Sequence, residues 1–538
     1  MLKRFLWAGL VAVLSVAVVG TSAATTGKGD ASKARAQVLR IAIGSEPPSL
    51  DPGLATDTTS ANIIYNIMEP LVKLGPLPKL RPIPTAAASW RVRGANVTIN
   101  LRRNVRWSNG KPVTAQDYVW SWLRTISPEL GADYAYQFFG IKGAEAYNSC
   151  KSNCGALRAK VGVKAAGRYT LRVQLTSPQP WFVQQLSHHS FLPVHRATVE
   201  KYGNKWTEPA NIVTDGPFKL AAWRHDASLT LVKNTKWRNA KSVRLNRIEH
   251  SIIVDGGTAA NAFQAGNVDV NSNTLPAADV PKWRKTGLLK IYKALGTYYY
   301  GFNVKNITDV NQRRAMAFAI DRYQITKYIT QTGQVPAKGF TPPGITGGPT
   351  IVKHAFLPAR AQRAKARAFM AKVRNPKKAI KLYMNNAPNH VKIATAVQAF
   401  WKELGLDVTL RVIEWKQYLQ FLGPPPPSDV DVYRLGWIYD FPDAYNGLVL
   451  WTCDSGNNNT NWCNKKFDGL LDKATKTSSD ARRTLIYQQA EDLISSPKGQ
   501  LPIMPIYWYT FQALVKNYVK GFFINVQDNW DYTKVSMR

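Results

Sequence analysis

An apolar, aromatic stretch of the chain holds two opposite charges. Val432-Tyr-Arg-Leu-Gly-Trp-Ile-Tyr-Asp-Phe-Pro-Asp443 carries Arg434 and Asp440, with Gly436 and Trp437 between them. A charge withdrawn from water costs several kcal/mol unless a counter-charge meets it. Any fold that buries this segment must therefore bring partners to both residues. One reading pairs them with each other or with other structural residues. The other sets them on the wall of a cleft, where they take the two ends of a zwitterionic ligand, Arg434 the carboxylate and Asp440 the amino group.

Met1–Ala24 has the layout of an export signal. Lys3 and Arg4 form a positive start, Leu6 to Gly20 is an apolar run, and Ser22-Ala-Ala24 offers small residues for cleavage. The run is about 15 residues, short of the roughly 20 of a membrane span, and a retained N-terminal anchor is the alternative. No cysteine stands near its end, so the usual bacterial lipid anchor is not available. The mature chain is expected outside the cytoplasm. Four cysteines form two sequence-local couples, Cys150 with Cys154 and Cys453 with Cys463. In an oxidising compartment two local disulfides are the simplest account. A zinc site is the sharper alternative, and the spacings do not make paired CxxC units.

A mature chain of about 510 residues is too large for one core and implies two or three domains. Hydrophobic content of 45% and 17 Trp describe a globular protein. The formal charge is +37. That excess would attract anionic cell-wall polymer, lipid head groups or nucleic acid. The basic residues are scattered and form no arm, so wall retention is the reading preferred and nucleic acid is set aside.

Period-two alternation marks strands at Leu39–Ile43, Val97–Leu101 and Tyr169–Leu175, and a hairpin over Phe218–Val232 that turns near His225–Ser228. Farther along, helices and strands alternate. Asp309 caps a helix reaching Ile320, a helix over Val391–Leu404 stops at Gly405, Val408–Val412 follows as a strand, and Asp480 caps a helix to Ile494. Pro424–Pro427 reads as a rigid loop. The mixture implies an α/β protein.

No G-x-S-x-G elbow, H-E-x-x-H or phosphate-binding loop occurs. His188-His189, the only adjacent pair among seven His, follows Trp181-Phe-Val-Gln-Gln-Leu186 and reads as packed, not metal-binding. No catalytic residue, cofactor or metal is expected, and a binding protein is favoured over an enzyme. A secreted hydrolase or a wall-associated interaction protein is the alternative.

The chain resembles the extracytoplasmic solute-binding proteins of peptide ABC importers, the oligopeptide- and dipeptide-binding group. The likeness runs from about Leu39 to Lys534. Its markers, in the family's order, are Ser45-Glu-Pro-Pro-Ser-Leu-Asp-Pro52, Leu101-Arg-Arg-Asn-Val-Arg-Trp-Ser-Asn-Gly-Lys-Pro-Val-Thr-Ala-Gln-Asp117, Val213-Thr-Asp-Gly-Pro-Phe218, Tyr298-Tyr-Tyr-Gly-Phe-Asn303 and Arg313-Arg-Ala-Met-Ala-Phe-Ala-Ile-Asp321. The resemblance implies a two-lobed periplasmic-binding-protein-like fold of the cluster C type. It places a discontinuous first lobe at 38–68, 191–297 and 510–538, an extra domain at 69–190 and a second lobe at 298–509, after a signal at 1–24 and a flexible lead-in at 25–37. It implies a monomer that takes short peptides and delivers them to membrane permease subunits, although the same fold also binds non-peptide solutes.

Carried over residue by residue, Asp440 falls where the family binds the peptide α-amino group. Arg434 and His390 fall where its cations meet carboxylates of peptides of different length. Trp415 and Trp437 fall on aromatic walls, with Tyr134, Tyr136, Tyr298 and Tyr507 as further lining. Thr56 and Thr58 fall on an edge that pairs with the ligand backbone. There this chain departs from a near relative in the group, placing Thr where that relative has an acidic residue, with Asp57 beside it.

Overall fold

The computed structural model describes residues 36–75, 80–345 and 357–538. The export-signal segment and the lead-in up to residue 35 lie outside them. One mixed sheet of eleven strands runs through both lobes. Across it the order is Asp407–Ile413, Ala379–Asn385, Val432–Ile438, Leu289–Phe302, Ile503–Val515, Val270–Asn271, Val38–Ile43, Arg247–Ile252, Ser228–Lys233 and Phe218–Arg224, with Val335–Pro336 added beside Ile503–Val515.

Two long antiparallel strands carry the chain between the lobes. Leu289–Phe302 runs into the second lobe and Ile503–Val515 runs back, paired from Leu289 with Leu514 to Gly301 with Ile503. The pairing slips between Lys293 and Thr297 and again between Tyr298 and Tyr299. Ile503-Met-Pro-Ile-Tyr-Trp-Tyr is almost unbroken in apolar and aromatic residues, as a strand covered on both faces requires.

The extra domain has a four-stranded antiparallel sheet, ordered Ala87–Arg93, Asn96–Leu101, Thr170–Gln174, Val163–Gly167. Val97, Ile99, Leu171 and Val173 point inward to its own core, and burying each contributes roughly 1.5–3 kcal/mol. Tyr118 and Trp122 of the helix Ala115–Thr125 join that core. Thr114 and Asp117 start this helix with a reciprocal capping box.

The expected hairpin forms, with Phe218–Arg224 antiparallel to Ser228–Lys233, and Asp309 caps Val310–Ala319. Two helix starts differ. Ser479, not Asp480, is the cap of Asp480–Ser495, its hydroxyl accepting from the Arg482 N–H. Both residue types cap well, and the competition is decided by one residue of backbone geometry. The helix expected from Val391 begins at Pro388, because a proline in the first turn has its φ preset and no N–H to satisfy. That extension puts His390 inside the first turn. Cys150–Cys154 and Cys453–Cys463 stand as two local disulfides. Among the described residues no helix is long and apolar enough to cross a membrane.

Candidate ligand-binding cleft

A cavity of about 810 Å³ lies between the lobes, within the size range of sites that enclose a small ligand. Asp440, Arg434, His390, Trp415, Trp437, Gly436, Thr56, Thr58, Tyr134 and Tyr507 all line it. Tyr136 and Tyr298, expected as lining, stand behind the wall instead. Tyr136 stacks on Tyr134 at 5.8 Å between ring centroids, and Tyr298 is fully buried with the Arg434 guanidinium 4.6 Å above its ring.

The strand Val432–Ile438 and the turn that follows it place both charges. Asp443 caps the short helix Ala444–Leu448 and is itself held by Arg483 at 2.8 Å and Tyr487 at 2.7 Å. This helix turns Asn446 back toward the strand. The Asn446 carbonyl accepts from the Trp437 indole and from the Asp440 N–H, both at 3.0 Å, and its amide donates to the Asp440 carboxylate at 2.9 Å. One amide side chain thus fixes an aromatic wall and an anion together.

The Asp440 carboxylate is already well provided for. Gln137 of the extra domain donates to it at 2.7 Å, and His188 Nε2 lies 3.2 Å from its other oxygen. Burial pushes this carboxyl up, but His188 and the Asn446 amide outweigh it and hold the group below the usual Asp range. His188 therefore belongs to the site, although the sequence reading assigned the His188-His189 pair to packing alone. His189 lines the cavity as well. It meets the Ala55 carbonyl at 2.8 Å, and burial, with the neighbouring His188, lowers it to about 3.

Arg434 is placed differently. Its guanidinium donates to Asn385 at 3.1 Å and to the Tyr509 hydroxyl at 2.9 Å. Among the described residues no carboxylate lies within 4.0 Å of it, and its Nε has no partner. Gly436 makes this arrangement possible, because a Cβ there would run into the Tyr509 hydroxyl. The cation is held by neutral groups at the cavity wall, and its charge is uncompensated.

His390 requires a correction. Burial first, then the charge of Arg434, lowers it well below the ordinary His range. It is a neutral imidazole, able to donate or accept a hydrogen bond but not to act as a second cation. Its Nδ1 is buried without a partner.

Thr56, Asp57 and Thr58 lie where the helix Thr58–Ile67 begins. Asp57 is turned inward as its cap, accepting from the Ser60 N–H at 3.0 Å and hydroxyl at 2.7 Å, and it also receives the Trp415 side chain of the opposite lobe. Asp528 was absent from the sequence reading and lines the cavity too. Burial pushes its carboxyl up to about 7, against hydrogen bonds from Thr58 and the Trp530 indole.

Two lobes around a charged and aromatic cleft define a solute-binding protein. Residues 81–459 match the family described as bacterial extracellular solute-binding proteins, family 5, and the chain belongs to that family. The oligopeptide-binding protein OppA of Bacillus subtilis is 34% identical over 518 residues, 93% of this chain and 92% of that protein. The structure of the Escherichia coli murein tripeptide binding protein MppA superposes with a TM-score of 0.85 at 30% identity, covering 94% of this chain and 99% of that one. Haemophilus influenzae OppA in complex with RPPGFSPFR gives 0.85 and 30%, covering 93% and 99%. Against the unliganded open form of MppA the TM-score is only 0.64 at the same identity, covering 94% and 98%. The lobes here stand closer to the arrangement in the first two structures than to the open one.

Proposed function

We propose that this protein is an extracytoplasmic receptor that encloses short peptides between its lobes and delivers them to the permease subunits of an ABC importer. The observation that carries this reading is the buried Arg434 guanidinium, which lines the cavity with no carboxylate within 4.0 Å among the described residues. A ligand carboxylate supplies that charge through short, charge-assisted hydrogen bonds in a poorly hydrated site. Asp440 takes the opposite, amino end. Trp415, Trp437 and Tyr134 give side chains apolar walls, and water fills what each guest leaves open. The names of the relatives, as oligopeptide- and murein-peptide-binding proteins, support peptide as the solute class. The receptor works as an exported monomer, binding without catalysis.

Mass spectrometry of the ligand released on denaturing the purified protein tests this. Co-purified short peptides are expected. A calorimetric screen in which no free peptide of two to six residues binds, while another solute does, would sink the peptide reading.

A further inference from the structure

Basic residues that are scattered in the sequence are gathered by the four-stranded sheet of the extra domain. Between Arg81 and Leu175 the chain holds fifteen Lys or Arg against four Asp or Glu. Register places Arg91 opposite Thr98, Thr98 opposite Arg172, and Arg172 opposite Lys164. One row therefore crosses all four strands on the face turned away from the core. Arg93 stands two residues beyond Arg91 on that same face, and the four strands contain no acidic residue.

Arg91, Arg93, Lys164 and Arg172 are all exposed, and among the described residues none has a carboxylate within 4.0 Å. Neighbouring strands are about 4.8 Å apart and alternate residues of one strand roughly 6.7 Å, so the four cations share a patch of about 15 by 7 Å. Like charges directly opposite on adjacent strands repel each other. Lys164 and Arg172 stand in that relation with no anion of the fold between them.

We propose that this sheet face docks on a linear, phosphodiester-linked polymer of the cell envelope. An open row of cations crossing four strands fits an extended chain of repeating anions, whereas a single small anion would need a concave cradle. Three of the four cations are arginines, whose planar forks match phosphate oxygens in pairs. The family's extracellular setting places the partner in the envelope and not among nucleic acids. None of the four residues lines the cleft, so this face is independent of the peptide reading.

The test uses the full mature chain and immobilised poly(glycerol phosphate), with duplex DNA and anionic phospholipid vesicles as competitors. Binding is expected at about 50 mM salt and should weaken steeply by about 300 mM. Replacing Arg91, Lys164 and Arg172 by Gln should cost at least tenfold in affinity. Replacing the exposed Lys241 and Arg244 by Gln should cost less than threefold, and an unchanged urea midpoint serves as a check that each variant is folded. The proposal is overturned if wild type does not bind the polymer at low salt, or if the control variant loses as much as the sheet variant. It is equally overturned if DNA or vesicles bind more tightly than the polymer with the same sensitivity to the sheet substitutions.

Discussion

The two charged ends of the cleft are built on opposite plans. Asp440 is surrounded by the protein's own donors, Gln137, Asn446 and His188. Arg434 has only neutral contacts, Asn385, Tyr509 and the Tyr298 ring. A ligand ammonium reaching Asp440 joins a group that is already hydrogen-bonded, and it gains by replacing or supplementing bonds already made. A ligand carboxylate reaching Arg434 completes a group that the fold leaves short of charge. Under the proposed function this contrast predicts that the electrostatic gain on binding is concentrated at the carboxylate end, and that the amino end contributes more to orientation.

The sharpest way to break this comparison is Arg434→Met. Losing one member of a buried charge pair costs about 3–5 kcal/mol, so affinity for free tripeptides should fall more than a hundredfold by calorimetry. A peptide amidated at its carboxyl end should bind wild type and variant with similar, weak affinity. Equal binding of amidated and free peptides to wild type would remove Arg434 from the carboxylate role.

Asp440→Asn comes next. It should weaken free peptides more than tenfold, less than the arginine change because the carboxamide that replaces the carboxylate keeps an oxygen able to accept from an ammonium. N-acetylated and free peptides binding wild type equally well would show that Asp440 does not read the amino end. A larger loss here than at Arg434 would reverse the comparison outright.

Gly436→Ala probes the same contrast through packing. The added Cβ displaces the Tyr509 hydroxyl from Arg434, and losing one hydrogen bond at about 1 kcal/mol should weaken peptides roughly fivefold. An unchanged affinity would mean that Tyr509 does not orient the guanidinium.

The smallest effect concerns the histidines behind Asp440. His189 is lowered from 6.5 to about 3 in the folded chain, so the unfolded chain binds the extra proton as pH falls. Its contribution is intact above about pH 6.5 and is lost progressively from there toward 3. Going from pH 7 to 6 should cost roughly 0.7 kcal/mol through this group. Urea midpoints at the two pH values check it: His189→Gln should flatten the difference, and an unaltered pH slope would assign the proton elsewhere.

Much of the local structure was legible. Period-two runs such as Val97–Leu101 declare strands because a one-face burial repeats every second residue, and Asp309 declares a helix start because its carboxylate meets a free N–H. Caps were legible only to within a residue, as Ser479 and Asp480 compete by the same chemistry. Arg434 and Asp440 stood out because charges in an apolar segment must be accounted for. Their partners did not stand out. Gln137 is 303 residues from Asp440, and a neutral amide carries no sequence signal that it faces a carboxylate.

The sequence by itself therefore determined that two charges would be buried, that four cysteines would pair locally and that strands and helices would alternate. Tertiary structure alone decided which hydrogen-bond partners each buried charge receives. It neutralised His390 by burying it, with Arg434 adding to the effect, brought His188 to Asp440, and turned Asp528 into the cavity from the C-terminal segment. The physical reason is range: propensity and periodicity act over a few residues, whereas desolvation and counter-charge depend on groups that only the closed fold brings within a few ångströms.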